Sequence, residues 1–111
     1  MLMTTWHKNL KKRFNNFDLF QHILLICNEL NRAGNLIDDR NEYNACIERA
    51  LELMDFSIQS GKWKGKLKEI LRARDQIAEY YISIPKNTEN LQKMLILLNS
   101  KSYKAMSMDK I

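Results

Sequence analysis

A chain of 111 residues, 45% of them hydrophobic, can bury one core and supports a single domain spanning 1–111. This balance excludes a disordered chain, and nowhere do about eighteen uncharged apolar residues follow one another as a membrane span requires. The formal net charge of +5 favours acidic or polyanionic partners over basic ones.

Three glycines and one proline are few turn-formers, so the chain is expected to be mostly helix with short connections. Its opening residues, Met1-Leu2-Met3-Thr4-Thr5-Trp6-His7-Lys8, lack the order of a secretory leader, and a cytoplasmic address is expected. Residues 1–15 form a basic segment in which Trp6, Leu10 and Phe14 permit a short extra helix.

The first main helix is predicted from about Phe17 to Asp38. Phe20, Ile23, Leu24, Cys27, Leu30, Gly34 and Ile37 share one face, spaced three and four apart, with Asn31 among them. Leu25 and Leu36 fall on the opposite side. The second helix is predicted from about Glu42 to Gln59, with Asn41 as N-cap and Gly61 as its stop. Tyr43, Cys46, Ile47, Ala50, Leu51, Met54 and Ile58 make its stripe, while Leu53 and Phe56 lie elsewhere and Asp55 sits at the stripe's edge.

The third helix covers about Lys62 to Ile82 and ends before Pro85. Its stripe runs through Trp63, Leu67, Ile70, Leu71, Ile77, Ala78 and Tyr81, with Arg74 pointing down the centre. A guanidinium there demands a partner, because an unpaired buried charge is very costly. The fourth helix starts near Asn87-Thr88-Glu89 and runs to about Ser100 with Leu91, Met94, Leu95 and Leu98 inward; residues 101–111 are expected to fray. Short connections favour antiparallel neighbours, so the expected architecture is all-α: an up-down antiparallel four-helix bundle.

Catalytic and metal motifs are weak. His7 and His22 are the only histidines, and neither has a cysteine or carboxylate at ligand spacing. There is no Glu-x-x-His pair, no glycine-rich phosphate loop, no nucleophile elbow, and no arginine followed by histidine at the spacing of small all-helical ribonucleases. Cys27 and Cys46 read as small hydrophobes on apolar faces. The sequence therefore suggests no catalytic residue, cofactor or metal.

Three groups of residues remain. Arg74 is expected to reach Asp55, with Asn31 or Ser57 filling its other donors, in a buried polar core; on that reading, loss of Asp55 alone costs about 3–5 kcal/mol. Lys8, Lys11, Lys12 and Arg13, and then Lys62, Lys64, Lys66 and Lys68 around Trp63, combine cations with aromatics as polyanion-binding surfaces do. Lysines at a helix N-terminus also oppose its dipole and so invite an outside explanation. The off-stripe residues Leu25, Leu36, Leu53 and Phe56 suggest a protein contact, with self or with a dedicated partner.

The stretch Glu48-Arg49-Ala50-Leu51-Glu52-Leu53-Met54-Asp55, followed by Lys68-Glu69-Ile70-Leu71-Arg72-Ala73-Arg74-Asp75, resembles a group of small uncharacterised prokaryotic helical proteins. The resemblance covers about half the chain and implies that Arg49, Asp55, Glu69, Arg72 and Arg74 matter to the fold; it implies no activity. At fold level alone the chain also looks like basic helical-bundle accessory proteins that assist reverse transcriptases or nucleotidyltransferases, without their diagnostic motifs. The expectation is thus a non-enzymatic cytoplasmic interaction or accessory protein, an oligomer or the small subunit of a two-component system. The alternatives are nucleic-acid binding through residues 8–13 and 62–68, and an enzyme with an Arg74/Asp55 pocket.

Overall fold

The computed structural model describes residues 12–98, and among them every regular element is helical. A helical turn at residues 12–15 precedes α1 (Leu19–Asn35), α2 (Arg40–Gln59), α3 (Leu67–Ile82) and α4 (Glu89–Leu97). The expected helix through Trp6 and Leu10, and the tail at 101–111, lie outside the described residues.

α1 begins two residues later than the expected Phe17, because Asp18 and Gln21 form a capping box. The Asp18 carboxylate accepts from the Gln21 amide at 2.9 Å and the Gln21 side chain accepts from the Asp18 amide at 2.9 Å. α2 is capped by Asp39, not Asn41: the Asp39 carboxylate accepts from the Glu42 N–H at 3.3 Å. Its acidic first turn, with Glu42, complements the helix dipole.

α3 starts at Leu67, five residues beyond the expected Lys62. Gly61 and Gly65 adopt φ of 72° and 82°, left-handed backbone that ends α2 and delays α3. Trp63 therefore belongs to the connecting loop, where it is buried.

Pairwise packing joins α1 to α2, α2 to α3, α3 to α4 and α4 to α1. Specific bonds fix the direction of three of these pairs. His22 meets Ser57 and Glu29 meets Arg49, so α1 and α2 run antiparallel. Asp55 meets Arg74 and Glu48 meets Tyr81, which sets α3 antiparallel to α2. Thr88 Oγ1 donates to the Leu30 carbonyl at 2.7 Å while the Cys27 thiol lies against the Gln92 carbonyl, so α4 descends along α1. Gly34 makes this approach feasible: a Cβ there would stand 2.9 Å from Thr88 Oγ1.

The core is built from Ile23, Ile26, Leu30 and Ala33 of α1, Tyr43, Ile47, Ala50 and Met54 of α2, Ile70, Ala73 and Ile77 of α3, and Leu91 and Leu95 of α4. Leu53 and Phe56, expected on an outer surface, are 7% and 4% exposed and face inward, because α2 is flanked by α1 on one side and α3 on the other. Leu25 and Leu36 are half-buried against this core. Cys27 and Cys46 are buried free thiols, and burial pushes the Cys27 thiol up to about 12, leaving it inert as a nucleophile.

Candidate functional site

The α3 stripe splits in two. Ile70, Ala73 and Ile77 are fully buried and point at the core, while Leu67 and Leu71 are 49% and 43% exposed and Tyr81 is 38% exposed. The helix is rotated so that Arg74 lies on the flank facing α2 and not at the centre of a buried seam. Its Nε donates to Asp55 Oδ1 at 2.8 Å and its Nη2 to Asp55 Oδ2 at 3.4 Å. Both side chains keep substantial contact with water, 36% for Arg74 and 41% for Asp55. Asn31 is exposed on α1 and takes no part in this pair.

Two turns beyond, the Tyr81 hydroxyl donates to Glu48 Oε1 at 3.0 Å. The outer edge of α2 and α3 thus carries two exposed leucines, then a two-point ion pair, then a tyrosine–glutamate bond. At the leucine end a shallow cavity of about 390 Å³ opens between Ile58, Trp63, Lys64 and Leu67. The carboxylate of Asp55 holds the Arg74 guanidinium above even its usual high pKa, so it is a fixed cation and cannot donate a proton in a reaction.

The loop that carries Lys62 meets the chain just after Lys12 and Arg13, for a structural reason that composition does not show. The Lys62 ammonium donates to the carbonyls of Asn15 and Phe17, which end the turn at 12–15. The Lys66 ammonium donates to the Leu98 carbonyl at 2.7 Å, beyond the last turn of α4. Both lysines neutralise orphan carbonyls at helix C-termini, where a cation is favoured. The lysine run is therefore not stacked against the α3 N-terminus as the sequence suggests: Lys62 and Lys64 lie in the loop. Lys12, Arg13, Lys64 and Lys68 are exposed; Lys8 and Lys11 lie outside the described residues.

Trp63 is 2% exposed and offers no stacking surface. Its indole Nε1–H donates to Ser57 Oγ at 2.7 Å, the Ser57 hydroxyl lies 2.8 Å from His22 Nδ1, and His22 Nε2 lies 2.8 Å from the Phe14 carbonyl. A carbonyl can only accept, so Nε2 carries the proton and Ser57 donates to Nδ1. The imidazole also stacks on the Phe14 ring, centroids 3.9 Å apart. Sequence reasoning placed His22 on a polar side of α1 and missed this relay. The available signal was Ser57, which sits at core spacing beside Met54 and Ala50. Burial pulls the His22 pKa below its ordinary value, against the raising effect of the Phe14 carbonyl.

Between α1 and α2 lies a groove of about 340 Å³ whose lining includes Leu25 and Leu53 below Glu29, Arg32 and Arg49. Glu29 binds Arg49 across it at 3.1 Å and Arg32, one turn on along α1, at 3.7 Å. Of the four residues expected to form an interface, these two leucines come together and Phe56 does not join them. Of the positions the resemblance singles out, Arg49, Asp55 and Arg74 form inter-helix pairs, and Glu69 and Arg72 are exposed.

Among the described residues no three His, Cys, Asp or Glu side chains are grouped to hold a metal ion, and no helix is long and apolar enough to cross a membrane. Comparison with family models, with curated proteins and with solved structures yields no match.

Proposed function

We propose that this chain is a non-enzymatic cytoplasmic interaction protein, an up-down four-helix bundle that works as an oligomer or as the small subunit of a two-component system. The observation that carries the reading is the outer edge of α2 and α3. Leu67 and Leu71 remain exposed one turn apart on a helix whose other face is fully buried, beside the ion pair of Arg74 and Asp55. Contiguous apolar surface rimmed by polar groups is the usual mark of a protein contact. The fixed charges and satisfied hydrogen bonds along this edge suit recognition better than proton transfer.

The test is a photo-crosslinking residue in place of Leu71, with a control in place of Lys93 on the exposed side of α4, expressed in native cells. Adducts from position 71 that are absent from position 93 are expected. Equal adducts from both, or none, would overturn the reading.

A second reading, nucleic-acid binding, is favoured by one observation: the bonds from Lys62 to Asn15 and Phe17 gather Lys12, Arg13, Lys64 and Lys68 at one end of the molecule. Lys62 and Lys66 are already engaged with carbonyls, and Trp63 is buried, so this surface is smaller than the sequence suggests. Affinity that falls steeply with salt would support it.

A further inference from the structure

We propose that residues 12–17 form a pH-gated lid: protonation of His22 releases this short segment while the four helices stay packed. The device stands apart from the α2–α3 edge and depends on no partner.

The segment is one helical turn and a bend, and few groups tie it down. Its carbonyls take bonds from two side chains of the body: Phe14 from His22 Nε2, and Asn15 and Phe17 from the Lys62 ammonium. Its one fully buried side chain, Phe14, lies over the face of the imidazole with centroids 3.9 Å apart. The other neighbours of the ring belong to long helices. His22 itself sits on α1 and Ser57 on α2, so water reaches the ring from those sides only if the two helices part. Lifting the lid is the cheaper route, because a single turn has little hydrogen bonding of its own to lose.

The closed lid suits a neutral ring. Protonation adds an N–H at Nδ1, so His22 and Trp63 both aim donors at the Ser57 oxygen, whose own proton must turn away. Those bonds can be remade, but the charge remains buried. The ring is 0% exposed and the partners of its two nitrogens are a hydroxyl and a carbonyl, neither of them a counter-ion. The charged groups facing it are Lys62 from the loop, which opposes a second cation, and Asp18 at the start of α1, which favours one. The Asp18 carboxylate already accepts from the Gln21 amide. With the lid lifted, the imidazolium meets water, and Lys62 loses the carbonyls that hold its ammonium in place. The open state therefore binds a proton that the closed state refuses, and acid favours opening.

Trypsin acting on the full chain tests this. Cleavage of the Arg13–Phe14 bond reads the lid, and cleavage of Arg49–Ala50 within α2 reads opening of the whole bundle. Each rate is divided by that of a short peptide carrying the same bond at the same pH. The Arg13 ratio should exceed the Arg49 ratio by well over about tenfold, as local opening demands. Between pH 7.5 and pH 5.5 it should rise, approaching about tenfold per unit below about pH 6.5. His22→Gln keeps both hydrogen bonds without titrating, and its Arg13 ratio should be flat. Equal ratios at the two sites, a flat wild type, or the same rise in His22→Gln would overturn the lid. Should His22→Gln fail to fold, Phe14→Ala decides by proton NMR: its His22 ring should titrate above the wild-type value and near about 6.5. A wild-type value there would show that the lid does not shield the ring, and would overturn the proposal.

Discussion

Two polar constellations join α2 to its neighbours, and they obey opposite rules. The His22–Ser57–Trp63 relay is buried, with each polar atom given a partner and an aromatic ring laid over the imidazole. The Arg74–Asp55 pair is shorter in sequence logic and stronger in formal charge, yet more than a third of each side chain faces water. Charge alone does not rank the two. Water competes for an exposed pair and screens it, whereas a buried neutral network has nowhere else to satisfy its donors. The first constellation fixes the fold; the second is open to water.

The largest effect should therefore come from the buried relay. Trp63→Ala removes a ring that closes the α2–α3 loop over the core and leaves Ser57 short of a donor. Denaturant unfolding should register a loss of about 3–5 kcal/mol. A loss near zero would mean that the loop carrying Trp63 contributes little to the folded state and that the comparison above is mistaken.

The same relay should make stability depend on pH. His22 is neutral in the folded protein and its pKa lies below the ordinary value of about 6.5 that it regains on unfolding. Desolvation is the main cause, with Lys62 adding to it and Asp18 and the Phe14 carbonyl opposing. The unfolded chain then binds more protons as pH falls below about 6.5. Stability present above that pH is lost on acidification, by up to about 1.4 kcal/mol per unit, until the folded value is passed. A His22→Gln variant keeps a donor for Phe14 and an acceptor for Ser57 but cannot titrate. Unfolding measured between pH 7.5 and pH 5 should show a shallower slope for that variant, and equal slopes would exclude His22 as the source.

The helices themselves were legible in the sequence because apolar spacing reports period directly. Ile23, Leu30, Ile47, Met54, Ile70, Ile77 and Leu95 all lie where that spacing puts them. What spacing left open was rotation and reach. Shifting the α3 apolar sector by one ridge sends Leu67, Leu71 and Arg74 outward while Ala73, a small residue with little hydrophobic weight, takes the core position. Phe56 and Leu53 looked surplus because a single stripe assumes one neighbour, whereas α2 has one on each side. Pairing of Arg74 with Asp55 was readable from the cost of a lone cation; its exposure was not, since that depends on how far α3 has turned. The roles of Lys62 and Lys66 were beyond reach for another reason: the carbonyls they bind belong to residues 32 or more positions away, or in a preceding turn whose end the sequence does not mark. The Asp18–Gln21 capping box, in contrast, was written in the sequence and would have corrected the start of α1.

The smallest effect should come from the pair that the sequence made most conspicuous. If Asp55 were buried, removing it would strand a guanidinium and cost about 3–5 kcal/mol. With both partners above one-third exposed, Arg74 can turn to water instead, and Asp55→Asn should cost about 1 kcal/mol or less. A double-mutant cycle with Arg74→Met, at a concentration low enough to keep the chain monomeric, isolates the coupling. Coupling under about 1 kcal/mol that shrinks further in high salt fits an exposed pair. Coupling several times larger and indifferent to salt would show that the pair is shielded in solution, and it would move the division between fold and surface across to α3.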